Sequence, residues 1–348
     1  MGLQLKELVV KEEISIKDLK GKVLAIDSMN YLYQFLTTIR TADGSLLTDK
    51  KGRVTSHLIG LFNRTTSLME QGLKLVFVFD GKAPEVKRKT WEKRWSAKNE
   101  AFLKLKEAEE KGNLEEMRKF APRTAVLNKE MIADAKKVIG ALGLPIIQAP
   151  SEGEAQTAYL VKKGDAFASV SQDYDNLIFD CPLLIRNLSI VGRQKKIGKA
   201  AYRTIKPEVI NLKKVLDHLE INLSQLRALA ILMGTDYNPG GVKGIGPKTA
   251  LKMVKKHQND FESLFKEANW LNYFPELSWK DLIEVIENIP VTDNYDLKWH
   301  KINLPEAIKL LVSGHDFNPE KVEAKLKKLE AGQNILSQQG LKSFFQSR

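Results

Sequence analysis

Short apolar runs that end in a polar or acidic residue recur through the first half of the chain. Residues 22–27 (KVLAID), 73–80 (LKLVFVFD), 144–148 (LPIIQ) and 166–173 (AFASVSQD) read as buried strands. Between them, residues 56–71 and 129–142 carry apolar positions at the three-to-four spacing of a helix with one buried face. Strands alternating with helices predict an α/β fold: a mainly parallel central β-sheet with helices on both faces. In such sheets ligands bind beyond the carboxyl ends of the strands, and Asp27, Asp80 and Asp173 each stand at that end. One such Asp is explained by turn or cap chemistry. Three in one sheet suggest a shared site.

The alternation breaks at residues 82–137, a long, highly charged stretch of helical pattern broken only at Gly112-Asn113. Its first part sets Lys82, Lys87, Arg88, Lys89, Lys93, Arg94 and Lys98 against Glu85 and Glu92. Trp91 and Trp95 lie four apart, on one helical face. Two readings fit: a solvated helical pair with its aromatics in the core, or a basic insertion overhanging an active site. From about Leu223 onward the pattern is mostly helical. There Gly244-Ile245-Gly246-Pro247-Lys248 resembles a helix–hairpin–helix, whose glycine turn offers backbone N–H groups to phosphate.

Composition narrows the function classes. Lys and Arg number 55 against 43 acids, a net charge of +12, which favours a polyanionic partner. The single cysteine, Cys181, excludes an internal disulfide framework and a Cys-rich zinc site. The N-terminus MGLQLKELVVKEEIS has charges where a signal peptide needs an apolar stretch, and no apolar run reaches bilayer length. The expectation is an intracellular protein with no membrane partner and no secretion signal.

Two acidic pairs join the strand-end acids. Glu152 and Glu154 lie in APSEGEA, where Ser151 and Glu154 also fit a capping box. Asp173 and Asp175 lie in SQDYDNL; in an extended chain residues two apart point the same way, and a turn of Asp, Asn and Tyr is the other reading. With Asp27, Asp80 and Asp236 (in MGTDYNPGG) this makes seven carboxylates. Such a concentration of negative charge needs cations to be stable. Oxygen donors without a His or Cys constellation favour Mg²⁺, with Mn²⁺ as a substitute. Two such ions roughly 3.5–4 Å apart would activate a water and stabilise the leaving oxygen in phosphodiester cleavage.

The motifs VLAIDSMNYLYQFL, FVFDGKAPEVK, APSEGEA, SQDYDNL and LMGTDYNPGGVKGIGPKTA occur in that order. Together they resemble the flap endonucleases, structure-specific 5′-nucleases of the XPG/FEN family, over nearly the whole chain. The resemblance implies a two-metal site with Asp80, Glu152, Glu154, Asp173 and Asp175 nearest the ions, and Asp27 and Asp236 as the remaining acids. It makes Lys87 and Arg94 the cations at the scissile phosphate, and Tyr33 a base-stacking aromatic, with Arg40 one to two turns later on the same helix. Catalytic roles fall to Lys87, Arg94, Asp80 and Asp173. Glu152, Gly234, Asp236, Gly244, Gly246 and Lys248 join the DNA contacts, and Thr55 and Ser56 match a pocket for a 3′ flap. A monovalent cation at the hairpin is also implied.

The same resemblance implies one nuclease domain over 1–337. Within it are an N-terminal nuclease region (about 1–98), a helical arch (about 82–137), and an internal nuclease region (about 116–258) containing the hairpin element (about 224–258). A helical extension follows (about 259–337). In the tail, Gln338, Leu341, Phe344 and Phe345 fit Q-x-x-L-x-x-F-F at 338–345, a sliding-clamp (PCNA) motif. The chain ends at Arg348 without a basic tail, which suits an archaeal, cytoplasmic or nucleoid member and no nuclear targeting. The implied activity is Mg²⁺-dependent 5′-flap endonuclease with 5′–3′ exonuclease activity, in replication (Okazaki fragment maturation) and long-patch base excision repair. The substrate is branched DNA with a 5′ flap, and the protein is a monomer off the clamp. A junction resolvase, a repair bubble nuclease, a duplex exonuclease or a non-catalytic clamp-bound DNA scaffold are the alternatives.

Overall fold

The structure, a computed structural model, describes residues 3–190, 192–195 and 202–346, with the backbone alone at 89, 190, 192–195, 202–204 and 333–346. Nine strands are described: β1 (Glu12–Glu13), β2 (Val23–Asp27), β3 (Lys74–Phe79), β4 (Ile146–Gln148), β5 (Ala168–Val170), β6 (Leu183–Arg186), β7 (Gly192–Lys195), β8 (Tyr202–Ile205) and β9 (Glu208–Asn211). Seven form one sheet in the order β1-β9-β6-β5-β2-β3-β4, and β7 and β8 form a separate antiparallel pair. The five strands from β6 to β4 are parallel, and β9 and β1 add antiparallel at one edge. This is the α/β fold the pattern predicts. The edge strands β9 and β1 are too short to give a periodic signal.

Both faces of the sheet are buried, and the two-residue period of a strand divides them cleanly. Leu24, Ile26, Leu75, Phe77 and Phe79 point into one core, and Ala25, Val76 and Val78 into another. Full burial of Phe77 or Phe79 contributes about 1.5–3 kcal/mol each. The first core is covered by α1 (Ser28–Thr38), α2 (Ser56–Glu70) and, after the insertion, α5 (Lys129–Ala141). The other face is covered by α6 (Gly153–Lys163). A third core joins the N-terminal Leu3, Leu5 and Leu8 to the helices after β9. These are α7 (Leu212–Leu219), α8 (Leu223–Met233), α9 (Pro247–His257), α10 (Phe261–Glu267), α11 (Trp270–Tyr273) and α12 (Trp279–Glu287).

The charged insertion is a helical pair, α3 (Arg88–Glu110) and α4 (Leu114–Phe120), turning at Gly112, whose φ of 61° suits a residue without Cβ. The last part of stretch 82–137 differs: α5 sends Ala135, Val138 and Ile139 into the main core. The region after 258 is not helical throughout. Residues 289–303 run as an extended strap along the fold, tied by Trp299 Nε1 to the Leu75 carbonyl at 3.0 Å and by His300 N to the Gly143 carbonyl at 2.8 Å. Beyond it lie α13 (Leu304–Ile308) and α14 (Pro319–Gln346), whose Val322, Leu326 and Leu329 close the first core. No described helix is long and apolar enough to cross a membrane.

Candidate active site

Parallel strands end together, and the chain must turn there into a helix or loop, so their carboxyl ends gather polar side chains at one edge. Asp27 closes β2 and is also the N-cap of α1: its Oδ1 accepts from Asn30 N at 3.1 Å and its Oδ2 from Ser171 Oγ at 3.1 Å. It therefore caps a helix and lines the cavity at the same time. Asp80 follows β3 and accepts from Gly153 N, the first residue of α6, at 2.7 Å. A Cβ on Gly153 would come within 2.6 Å of that carboxylate oxygen, so glycine between the two glutamates lets α6 aim its N-terminus at Asp80.

The capping box expected at Ser151 and Glu154 does not form. The N-cap position falls to Glu152, which makes no cap bond. Its Oε2 pairs instead with Lys87 Nζ at 2.5 Å, while its Oε1 is buried without a partner. Asp173 and Asp175 are not two apart on an extended strand either. Asp173 lies in a bend after β5 and Asp175 starts a 3₁₀ turn, yet both side chains reach the site. Glu154, Asp173 and Asp175 each bring an oxygen within 4.8 Å of the others, the one set of metal-ligand geometry among the described residues.

All seven acids line a single cavity of about 1480 Å³, together with Lys87, Arg94 and Tyr33. Burial, and then repulsion from Asp80, pushes the Asp27 carboxyl up to about 8. Asp80 is pushed up to about 6 by burial and by Glu152, and Asp175 to about 7 by burial and by Asp173. Glu154 rises well above the carboxylate range through burial and the charges of Asp175, Asp27 and Asp173. Lys87 shifts the opposite way to what burial alone would do: Glu152, Asp236 and Glu154 outweigh its desolvation and hold the ammonium charged.

These shifts set a pH dependence. A carboxyl with a raised folded pKa keeps its proton where the unfolded chain has lost it, so the metal-free fold loses stability as pH rises from about 4 through about 8. Cations bind only the ionised form, so their affinity rises over the same range. Thermal melts should show a metal-free Tm that falls from about pH 6 to about pH 8, and a larger Mg²⁺-induced rise at the upper end. A metal-free Tm that climbs over that span contradicts this account.

Helix α3 is anchored to the turn around Asp236. Arg94 Nη2 meets both Asp236 oxygens at 2.6 and 2.7 Å, Lys87 Nζ lies 3.5 Å from Oδ2, and the Thr90 hydroxyl donates to the Asp236 carbonyl. Residues that sequence reasoning missed complete the site. Asn30 Nδ2 donates to Asp173 Oδ2 at 2.7 Å while its Oδ1 accepts from Gln172 N at 3.2 Å, so one amide orients two segments. Tyr237, buried beneath Lys87 with the ammonium 5.3 Å from its ring centroid, leaves its hydroxyl without a partner. Asn30 sits three residues after Asp27, the position an N-cap partner occupies, and Tyr237 is next to Asp236. Those adjacencies were the available signals.

Other expected residues lie elsewhere. Arg40 is beyond the end of α1, where it donates to the Leu36 carbonyl at 2.9 Å and the Gly44 carbonyl at 2.8 Å, so it is not on the helix of Tyr33. Thr55 and Ser56 are buried at the start of α2, with Ser56 Oγ accepting from Leu47 N at 2.9 Å. Gly234 follows α8 with φ 102° and packs against Gly240 and Gly241, close enough that a Cβ would clash. Gly244 (φ 87°) and Gly246 form the exposed turn before α9, and Lys248 is exposed in the first turn of that helix, all outside the acidic cavity.

The XPG N-terminal domain matches residues 1–101 and the XPG I-region residues 143–236. The chain is 48% identical over 345 residues to Flap endonuclease 1 of Pyrococcus abyssi, covering 99% of this chain and 98% of that one. The chain belongs to the flap endonuclease family. Flap endonuclease 1 of Thermococcus onnurineus is 47% identical over the full length of both chains. Among solved structures, flap endonuclease-1 from Methanococcus jannaschii matches with TM-score 0.73 and 41% identity, covering 95% of this chain and all of that one. The catalytic core of Rad2 in complex with DNA substrate shares the fold at TM-score 0.68 and 20% identity, covering 94% and 100%. Flap endonucleases are metal-dependent, and the acidic cluster here supplies the donor set.

Proposed function

We propose that this protein is a 5′-flap endonuclease that hydrolyses the phosphodiester at a single-strand/double-strand junction with two Mg²⁺, cutting branched DNA in replication and repair. The observation that carries the reading is the convergence of Asp27, Asp80, Glu152, Glu154, Asp173, Asp175 and Asp236 on one cavity, with Lys87 and Arg94 on its wall. The donors fit hard divalent ions: every candidate ligand is a carboxylate oxygen, and buried Glu152 Oε1 lacks any other partner. When bound, such ions acidify a water and neutralise charge on the phosphate.

The chain's own groups do the rest. Lys87 stays charged at the floor of the cavity, aimed at the negative charge that builds on a reacting phosphate. Arg94, now clasped by Asp236, is half-exposed and reaches the same phosphate by exchanging one anion for another. Tyr33 offers an exposed ring for a base at the junction, a contact every sequence can make. The exposed turn at Gly244 and Gly246 would hold duplex backbone, with Lys248 in the next helical turn beside it, and would be the place for a monovalent cation.

Incision of flap, bubble and four-way-junction substrates tests the reading. Flaps should be cut fastest, one product per molecule, and preferred cutting of four-way junctions would overturn it. We also assign 338–345 to a sliding clamp. The backbone there continues α14, and the side chains of Gln338, Leu341, Phe344 and Phe345 lie outside the described residues. Phe344→Ala with Phe345→Ala should abolish clamp stimulation and leave clamp-free cleavage intact. Stimulation at the wild-type level would remove the assignment.

A further inference from the structure

Asp27 and Asp173 are joined by a closed ring of hydrogen bonds. Strands β2 and β5 pair in parallel with Ile26 opposite Val170, so Asp27 and Ser171, the next residue on each, lie side by side. The Ser171 hydroxyl donates to Asp27 Oδ2 at 3.1 Å and accepts from Asp173 N at 3.3 Å. Asn30 closes the ring from α1. Its backbone N–H donates to Asp27 Oδ1 at 3.1 Å, and its Nδ2 donates to Asp173 Oδ2 at 2.7 Å. The amide cannot turn over, because its Oδ1 accepts from Gln172 N at 3.2 Å and the opposite orientation would set donor against donor. Asp27 and Ser171 are each 3% exposed, so water competes little for these bonds.

The ring constrains both acids. Asp27 accepts one bond on each carboxylate oxygen and Asp173 is gripped through Oδ2, which leaves a fixed set of lone pairs for a cation. Asp173 also belongs to the trio with Glu154 and Asp175 whose oxygens lie within 4.8 Å of one another, so the rigidity of the ring passes into the metal-ligand group. Rigidity matters more for one ion than for another. Mg²⁺ demands near-octahedral oxygens at about 2.0–2.1 Å, whereas Ca²⁺ accepts about six to eight at about 2.3–2.6 Å in looser arrangements. We propose that Asn30 and Ser171 are positioning residues that set the cation selectivity of the cavity, holding Asp27 and Asp173 at the spacing a small ion requires. The proposal rests on the metal-dependent nuclease reading and deepens it: side chains that act only through the carboxylates decide which ion is held. The hydrogen-bonded partners of metal ligands govern affinity by about 10- to 100-fold.

The test uses the full-length chain and Mn²⁺, whose free signal in electron paramagnetic resonance reports binding, displaced in turn by Mg²⁺ and by Ca²⁺. Asn30→Ala keeps the backbone N–H that meets Asp27 and removes only the amide, so the fold should survive, as the metal-free Tm checks. It should weaken Mg²⁺ about tenfold or more and Ca²⁺ by at most about threefold, so that the preference for Mg²⁺ falls. Ser171→Ala should do the same. Since the two act through one ring, the double variant should lose little more than the worse single one. Equal weakening of both ions marks a structural role only and overturns the proposal. Wild-type selectivity in either single variant, or losses that add in the double variant, overturn it too. Cleavage of a 5′ flap separates the two readings. A wild type that binds Mn²⁺ but cuts no flap overturns the nuclease reading and leaves the ring to the displacement ratios, and a wild type that binds no Mn²⁺ overturns both.

Discussion

Asp173→Ala and, separately, Asp80→Ala should lower flap cleavage on the order of a thousandfold or more, because each would remove a carboxylate from the proposed cation site in the cavity. Binding to the junction should change within about threefold, since most of that affinity comes from phosphates meeting Lys and Arg across a wide surface. Stability separates a catalytic loss from a folding defect. Asp173 sits in a crowd of like charges, raising the pKa of Asp175, Glu154 and Asp27. Its removal relieves repulsion, so the metal-free Tm should hold or rise while the Mg²⁺-induced rise in Tm shrinks. Single-turnover cleavage and melts with and without Mg²⁺ check both. Full activity in either variant at saturating Mg²⁺ is incompatible with the site described.

Lys87→Ala should cost roughly 10²- to 10³-fold in single-turnover rate at saturating Mg²⁺, with substrate affinity little changed. Its ammonium is a tenth exposed and lies 2.5 Å from Glu152, so the change also leaves a buried carboxylate unpaired. Breaking a buried ion pair from one side costs about 3–5 kcal/mol, which the metal-free melt should register and added Mg²⁺ should largely recover. Lys87→Arg should rescue poorly. A guanidinium is broader than an ammonium, and the space is bounded by the Tyr237 ring at 5.3 Å and by Glu152 and Asp236. A rate within twofold of wild type for Lys87→Ala would remove Lys87 from the chemistry.

The sheet centre was legible in the sequence because β2, β3 and β5 are short, continuous apolar runs whose last residues or followers are acids. Their pairing, with Ala25 opposite Val76 and Ser169, follows from that burial. The antiparallel edge was not legible: β1 is two residues long and β9 reads EVIN, which fits a strand, a turn or a helix start equally. The seven acids do line one cavity, but three local geometries depart from the sequence reading. The S-x-x-E signal at Ser151 lost to the ion pair that Lys87 offers Glu152 from 65 residues away. The strand reading of 166–173 ran on to Asp173, although β5 stops at Val170 and the turn alternative is the one the Asp173–Asp175 pair adopts. Arg40 followed Tyr33 at helical spacing, but α1 ends at Thr38 and the guanidinium turns back to the Leu36 carbonyl near its end. In each case a long-range partner or an early helix stop decided the outcome, and neither is written in local periodicity.

The anchoring of α3 to the turn at Asp236 bears on how the protein is made. A nascent chain that has emerged only as far as α6 already carries Asp27, Asp80, Glu152 and Glu154, together with the basic arch. It lacks Asp173, Asp175 and the segment that clasps Arg94 and takes the hydroxyl of Thr90. On the proposed site, cutting competence cannot arrive before the last of these pieces, about two-thirds of the way along the chain, and α14, which closes the first core, follows later still. A truncated product left by a stalled ribosome would be basic enough to cling to nucleic acid, yet unable to nick it.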